Sequence, residues 1–120
     1  MYNQMVAQSE LSDVEIDRMF HALAAATRRD IVRRTIGREQ SVSELARDYD
    51  MSFAAVQKHV AVLEQAGLII KRAEGRERLV RANPAMIARA QALLAQYEDL
   101  WRGRVARLEE LLATSAPQGE

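Results

Sequence analysis

The sequence predicts a mainly α-helical fold of five helices with one small β-hairpin, and three observations support it. Apolar residues recur at helical intervals behind helix-capping sequences along most of the chain. Only residues 68–82 break this pattern, with β-prone runs on both sides of a turn that contains glycine. Aromatic residues make up 5% of the chain, which is typical of aliphatic packing between helices.

Length and composition narrow the class of protein. The 120 residues suffice for one domain, which we expect over residues 10–112, with flexible tails at residues 1–9 and 113–120. No apolar run reaches the ~20 residues of a membrane span and the N-terminus has no secretory pattern, so we expect a cytoplasmic protein without a membrane partner. The chain has no cysteine, which excludes disulfides and thiolate metal ligands.

The first three helices begin at recognisable capping sequences. Ser12-Asp13-Val14-Glu15 has capping-box spacing and opens a helix that we expect to end near Ala25. Thr27 is expected to cap the second helix, which ends at Gly37. Ser41-Val42-Ser43-Glu44 is a second capping box and predicts a two-turn third helix.

The fourth helix, over residues 52–66, is capped by Ser52 and follows the third after a short connection at residues 49–52. A connection of this length is typical of a helix-turn-helix. At 100° per residue, the apolar side chains share one narrow face and the opposite face is small or polar. The apolar face carries Val56, Val60 and Leu63, and the outward face carries Ala54, Gln57 and Lys58.

The outward face suits a DNA major groove. Small residues such as Ala54 permit close approach, Gln57 can pair with adenine, and Lys58 can donate to guanine or phosphate, although an exposed lysine is also an ordinary surface residue. Phe53 can pack on the previous helix or contact a thymine methyl group, and we expect it to be exposed. His59 borders the apolar face, so a structural role competes with DNA contact.

Residues 69–82 predict a hairpin, or wing, whose turn contains Gly75. Arg72, Arg76 and Arg78 surround that glycine and can enter a minor groove or bind phosphates. The alternative is a solvated turn.

Asn83-Pro84 predicts the start of a long last helix that continues to about Leu112. Its apolar residues alternate steps of three and four, the spacing of a heptad seam. A helix of ~28 residues spans ~42 Å, more than a small domain needs, so we expect part of it to pack on a second copy of the chain. The alternative is folding back on the first two helices. The seam residues proposed for the dimer interface are Leu94, Tyr97, Trp101 and Leu108.

The charge is balanced overall but uneven along the chain. Seventeen basic residues match seventeen acidic ones, yet residues 27–83 hold twelve basic residues against eight acidic ones. The predicted helix-turn-helix and wing are therefore the basic part, although an excess this small can also arise by chance.

Several motifs over residues 14–84 together resemble the ArsR/SmtB-type winged helix-turn-helix repressors. The resemblance implies a homodimer that binds DNA, with Ser52, Ala54, Gln57, Lys58 and His59 at the reading positions and Arg76 at the wing tip. It also implies a second interface strip on the first helix, with Met19 and Leu23. The motifs are Phe20-His21-Ala22-Leu23-Ala24, Thr27-Arg28-Arg29, Ser43-Glu44-Leu45-Ala46, Met51-Ser52, Val56-Gln57-Lys58-His59-Val60, Leu63-Glu64-Gln65-Ala66-Gly67-Leu68 and Glu74-Gly75-Arg76.

Three departures from the family pattern shape the expectation. Ala26 replaces a frequent proline, which should alter only the entry to the second helix. Gln57 replaces the usual serine, so the base preference of relatives does not carry over to this chain. The third helix lacks the paired cysteines of the metal sensors, and neither His21 nor His59 has zinc-ligand spacing to carboxylates. The sequence therefore resembles the non-metal-sensing subset, with no metal or cofactor expected.

These observations predict a homodimeric, sequence-specific DNA-binding regulator, a repressor of a palindromic operator. The alternative is a winged-helix module for protein interaction that binds DNA weakly. An enzyme is not expected, because the sequence has no nucleophile-and-base motif or glycine-rich phosphate loop. Tyr97 and Trp101 can line a pocket for a small-molecule effector of unknown identity, but aromatic residues at helical spacing are more often core.

Overall fold

The computed structural model describes residues 11–115, which form five helices and a three-stranded antiparallel sheet. The predicted fold class is confirmed. These residues divide into two compact units, 11–88 and 89–115. None of the helices in the described part of the chain is long and apolar enough to cross a membrane. The elements are α1 (Asp13–Leu23), α2 (Ala26–Gly37), β1 (Gln40–Ser41), α3 (Val42–Arg47), α4 (Phe53–Gln65), β2 (Ile69–Glu74), β3 (Glu77–Ala82) and α5 (Pro84–Ser115).

Three of the predicted helix caps are present as hydrogen bonds. The Ser12 and Ser41 side chains each accept from the backbone N–H three residues later, at 3.1 and 3.0 Å, and Glu15 and Glu44 accept in return from the cap backbone. Ser52 Oγ accepts from Ala55 N at 3.1 Å. The starts of α1, α3 and α4 are thus fixed by local sequence.

The junction between α1 and α2 differs from the prediction. Helix α1 ends at Leu23, two residues before the expected Ala25. Helix α2 begins at Ala26, and Ala25 occupies the cap position without a side-chain hydrogen bond, so the prediction that Thr27 caps this helix is wrong. Only residues 24 and 25 separate the helices, and α2 has therefore already begun when the chain reaches Thr27.

The sheet contains one strand that the sequence did not predict. Strand β1 has two residues, and it pairs with β3 in the register Gln40↔Val80 and Ser41↔Leu79, which gives the order β1-β3-β2. Two residues are too few to show strand alternation. The predicted wing at residues 69–82 is confirmed as the β2–β3 hairpin, and Gly75 takes φ 61° in its turn. That left-handed conformation explains a glycine at this position.

The core of residues 11–88 takes side chains from α1 to α4 and from the sheet. The predicted apolar face of α4 is buried, with Val56, Val60 and Leu63 at most 1% exposed. Because one face of α4 is buried and the opposite face is exposed, the outward side chains of this helix are directed by the packing of the inward ones. The other fully buried large side chains are Met19, Ile31, Leu45, Leu68 and Val80.

The base of the wing is closed by hydrogen bonds. Gly67 has φ 79°, and Asn83 Nδ2 donates to its carbonyl oxygen at 2.8 Å, while Asn83 N donates to Leu68 O at 2.9 Å. Asn83 Oδ1 also accepts from Ala85 N at 3.2 Å, so the predicted cap at Asn83-Pro84 is present. The same residue thus closes the wing and opens α5.

Helix α5 continues to Ser115, three residues past the expected end at Leu112. Residues 113–115, predicted as part of a flexible tail, are helical. The remaining residues of the predicted tails, 1–9 and 116–120, lie outside the described residues, as does residue 10 of the predicted domain. The single-domain boundary stays a prediction.

Candidate nucleic-acid interface

The turn between α3 and α4 is held by side chains from α2. Tyr49 Oη donates to Asp30 Oδ2 at 2.5 Å, and this hydrogen bond is the main cause of the lowered pKa of Asp30. The Arg34 guanidinium lies 5.3 Å from the centre of the Tyr49 ring and donates to Asp48 Oδ2 at 2.6 Å. These contacts fix the turn, and therefore the direction in which α4 leaves it.

The exposed side of α4 carries the side chains that the sequence assigned to DNA reading. Ser52, Ala54, Gln57 and Lys58 are exposed, and Phe53 is 47% exposed, as expected. They lie in the first half of the helix. This is the half that contacts base edges when a recognition helix enters the major groove.

A cleft of about 440 Å³ lies between α4 and the wing tip. Phe53 and Gln57 line it from α4, Val42 and Ser43 line it from the start of α3, and residues 75–78 line it from the wing. Residues some twenty positions apart in sequence therefore meet at one surface. The side chain of Gln57 thus lines the same cleft as the arginines of the wing tip.

Two of the three predicted wing arginines are available to a ligand. Arg76 and Arg78 are exposed and line the cleft, and neither forms an ion pair with any residue in the range 11–115. A guanidinium that is exposed and unpaired can bind a phosphate without first losing another partner.

Arg72 differs from the prediction. Its Nε and Nη2 donate to the two carboxylate oxygens of Glu39, each at 2.9 Å, and Nη2 also lies 3.1 Å from Glu74 Oε1. The hydrogen bonds from Arg72 lower the pKa of Glu39. Arg72 is thus neutralised by two carboxylates and ties the wing to the residue before β1. Arg72 is therefore already paired in the free protein, and its predicted contact with DNA requires that it leave these carboxylates.

His59 is half-buried on α4 and contacts Arg28 from the start of α2. Arg28 Nη1 lies 3.2 Å from His59 Nδ1, and the same guanidinium donates from Nε to Ala22 O at 2.7 Å and from Nη2 to His21 O at 3.1 Å. Burial, followed by the charge of Arg28, lowers the pKa of His59 below its ordinary value of 6.5. This shift favours the neutral imidazole.

Sequence reasoning missed Arg28 as part of this surface. The motif Thr27-Arg28-Arg29 contributed to the family resemblance without any role for its arginines. The structure shows that both bind the end of α1, since Arg29 Nη1 donates to Leu23 O at 2.8 Å. Two adjacent arginines just after a helix end are a usable sequence signal, because cations stabilise helix C-termini.

The residues assigned to a dimer interface fall into two groups. On α5, Leu94, Tyr97, Trp101 and Leu108 are each at least half exposed. On α1, Leu23 is half-buried, but Met19 is only 1% exposed. Met19 therefore has almost no surface to offer a partner, and its assignment to the dimer interface is corrected. Helical spacing identifies an apolar face of a helix but does not distinguish a core face from an interface. Phe20, beside it, is 44% exposed.

Residues 11–115 contain no group of three or more His, Cys, Asp or Glu side chains arranged to hold a metal ion.

Comparisons with known proteins find helix-turn-helix proteins. A helix-turn-helix domain family matches residues 23–72, which contain α2, α3, α4 and the start of the wing. The HTH-type transcriptional regulator Rv2034 of Mycobacterium tuberculosis (strain ATCC 25618 / H37Rv) is 35% identical over 96 residues, covering 80% of this chain and 87% of the relative.

Two solved structures are similar as well. The ArsR family transcriptional regulator RHA00566 is 32% identical with a TM-score of 0.70, covering 77% of this chain and 95% of that one. The homodimeric winged helix-turn-helix DNA-binding domain of Mb0332 from Mycobacterium bovis is 25% identical with a TM-score of 0.59, covering 74% and 88%. With a capped fourth helix, a wing beside it and relatives of this kind, the chain belongs to the ArsR family of winged helix-turn-helix DNA-binding transcriptional regulators.

Proposed function

We propose that the protein is a homodimeric repressor that recognises a palindromic operator with α4 and the wing. The observation that carries the proposal is the cleft between α4 and the wing tip. It joins an amide that can pair with a base, on Gln57, to two unpaired guanidinium groups, on Arg76 and Arg78. Base reading and phosphate binding are the two components of specific DNA recognition.

The exposed apolar side chains of α5 support the proposed dimer. Leu94, Tyr97, Trp101 and Leu108 recur at heptad spacing, and a row of large apolar side chains in water is stabilised when a second helix covers it. The related domain of Mb0332 is described as homodimeric. Two copies related by a twofold axis would present two α4 helices to half-sites about one helical turn apart.

The proposal is tested by fluorescence anisotropy with the DNA upstream of the protein's own gene and an unrelated duplex of equal length. A repressor binds the upstream DNA at least about a thousandfold more tightly than the unrelated duplex. Equal, weak binding to both would contradict the proposal and favour a module for protein interaction. Transcription in vitro from the same DNA then separates repression from activation.

Replacing Arg76 with alanine should weaken binding to the operator and to unrelated DNA alike. It should also lower the slope of log affinity against log salt by about 0.9, because one phosphate contact and its released counterion are lost. The matched control is the double variant Glu39→Gln with Arg72→Gln, which removes a neutralised pair without changing the net charge. An unchanged slope in Arg76→Ala, or a comparable fall in the control, would contradict the assignment.

Replacing Gln57 with alanine should change which operator is preferred. A bidentate pair with adenine contributes about 1 to 3 kcal/mol of discrimination, so operators substituted at that base pair should become nearly equivalent for the variant. Affinities for a set of singly substituted operators provide the measurement. If every operator weakens by the same factor, Gln57 does not read a base.

A further inference from the structure

The hydrogen bond between Arg28 and His59 determines which nitrogen of the imidazole carries the proton. A guanidinium can only donate, so the atom facing Arg28 Nη1 at 3.2 Å must accept. That atom is Nδ1, and in a neutral imidazole the proton then resides on Nε2. The lowered pKa of His59 agrees with the neutral form. His59 is therefore held as a hydrogen-bond donor at Nε2.

The Nε2 atom is not fully enclosed by the protein. In the part of the chain between residues 11 and 115, every buried side-chain nitrogen or oxygen has a hydrogen-bond partner. The hydrogen bond of His59 is made at Nδ1, so Nε2 would count as a buried atom without a partner if it were enclosed. An accessible, pre-oriented N–H donor on a recognition helix is suited to an acceptor on bound DNA.

The position of His59 on α4 indicates which part of the DNA it would face. At 100° per residue, His59 and Gln57 lie roughly 160° apart around the helix axis, on opposite flanks of the exposed face. The Gln57 flank faces the wing cleft. With the middle of the exposed face and Gln57 toward the bases, the side of α4 beyond Gln57 faces the groove wall that the wing serves, and the side that carries His59 faces the other sugar-phosphate wall. The wing serves one wall, and His59 lies toward the other.

We propose that His59 donates its Nε2–H to a backbone phosphate on the groove wall opposite the wing, and that Arg28 is the positioning residue that fixes this tautomer. The inference rests on the proposed function, since it requires α4 to lie in the major groove. Arg28 is suited to the role because its other two nitrogens bind the carbonyl oxygens of His21 and Ala22 at the end of α1, which holds the guanidinium in place. In this contact an uncharged side chain binds the DNA phosphate.

The tautomer is tested first, on the free protein and without DNA. The chain has two histidines, so the variant His21→Gln leaves His59 as the sole source of imidazole signals. Ring ¹⁵N chemical shifts measured above pH 7.5 should show a protonated Nε2 and an unprotonated Nδ1. A protonated Nδ1 would overturn the proposal. In Arg28→Lys, which keeps the charge but cannot make all three contacts at once, the two tautomers should mix and the pKa of His59 should change.

The phosphate contact is tested by anisotropy above pH 7.5 with the operator and the unrelated duplex. His59→Leu should weaken binding to both by about tenfold, with no change in the salt slope, because a neutral donor releases no counterion. Lys58→Met is the charged comparator, and its slope should fall by about 0.9. His59→Gln keeps an outward amide donor and should stay within about threefold of the parent protein. His21→Gln controls for loss of an imidazole elsewhere.

The role of Arg28 is tested by a double-mutant cycle. Arg28→Lys should weaken DNA binding. The double variant Arg28→Lys with His59→Leu should bind DNA as tightly as His59→Leu alone, because both substitutions remove the same contact. Additive losses would overturn the positioning role. If Arg28→Lys does not fold, the ring ¹⁵N shifts of His21→Gln and the DNA affinities of the His59 variants still decide the proposal.

The outcomes distinguish failure of the proposed function from failure of the phosphate contact. A parent protein that binds no DNA would contradict the proposed function, whatever the tautomer. A parent protein that binds while His59→Leu binds equally well would overturn the phosphate contact alone. A loss confined to the operator would place His59 on a base edge, which also overturns it.

Discussion

Replacing Trp101 with aspartate should convert the dimer to a monomer at micromolar concentration. Trp101 is 63% exposed on α5 and lies in the apolar row with Leu94 and Leu108. In a twofold interface each substitution occurs twice, so two carboxylates would lose water without gaining a partner. The dissociation constant of the dimer should rise by at least about a hundredfold, which sedimentation velocity over a concentration series measures.

DNA binding should follow the loss of the dimer. A monomer presents one α4 helix, and it loses the second half-site that is otherwise bound at an effective concentration of roughly millimolar. Operator affinity of Trp101→Asp should fall by about a hundredfold or more, while circular dichroism should stay unchanged.

The matched control is Ala106→Asp, which adds the same charge at an exposed position about 140° around the helix axis from Trp101, outside the apolar row. It should remain dimeric. If Trp101→Asp sediments like the parent protein, the apolar row of α5 is not the dimer interface.

Replacing Leu63 with alanine should produce the largest loss of stability among the variants considered. Leu63 is 0% exposed on the buried face of α4. Truncating a buried leucine removes its transfer free energy and leaves a cavity, at a cost of about 2 to 5 kcal/mol. Because small domains are stable by only about 5 to 15 kcal/mol, much of the total would be lost.

Urea denaturation at a fixed protein concentration measures the change, with an unaltered slope as evidence that the unfolded state is the same. The control is Ile36→Ala, a comparable truncation at a side chain that is 63% exposed, which should cost less than about 1 kcal/mol. Equal costs at the two positions would mean that the buried face of α4 has been misassigned.

The features that sequence predicted well are local. The capping boxes at Ser12 and Ser41, the cap at Ser52 and the glycine turn of the wing each depend on residues within four positions, so spacing alone identifies them. The sequence also predicts the apolar face of α4, because side chains on one face of a helix recur at the helical period.

The features that sequence missed depend on distant parts of the chain. Strand β1 exists because β3 pairs with it, and the ion pair of Arg72 with Glu39 crosses the sheet. The contact from Arg28 to His59 spans 31 positions. For Met19, periodicity identified an apolar side chain but gave no information on whether it faces the chain's own core or a partner.

The hydrogen bonds of Asn83 at the base of the wing have a consequence for how this protein can change during evolution. Asn83 closes residues 67–83 into a ring at the base, and the tip at Gly75 lies beyond that closure. Insertions or deletions at the tip leave that closure intact. The reach of the wing along flanking DNA can therefore diverge between descendants while the recognition helix keeps its place.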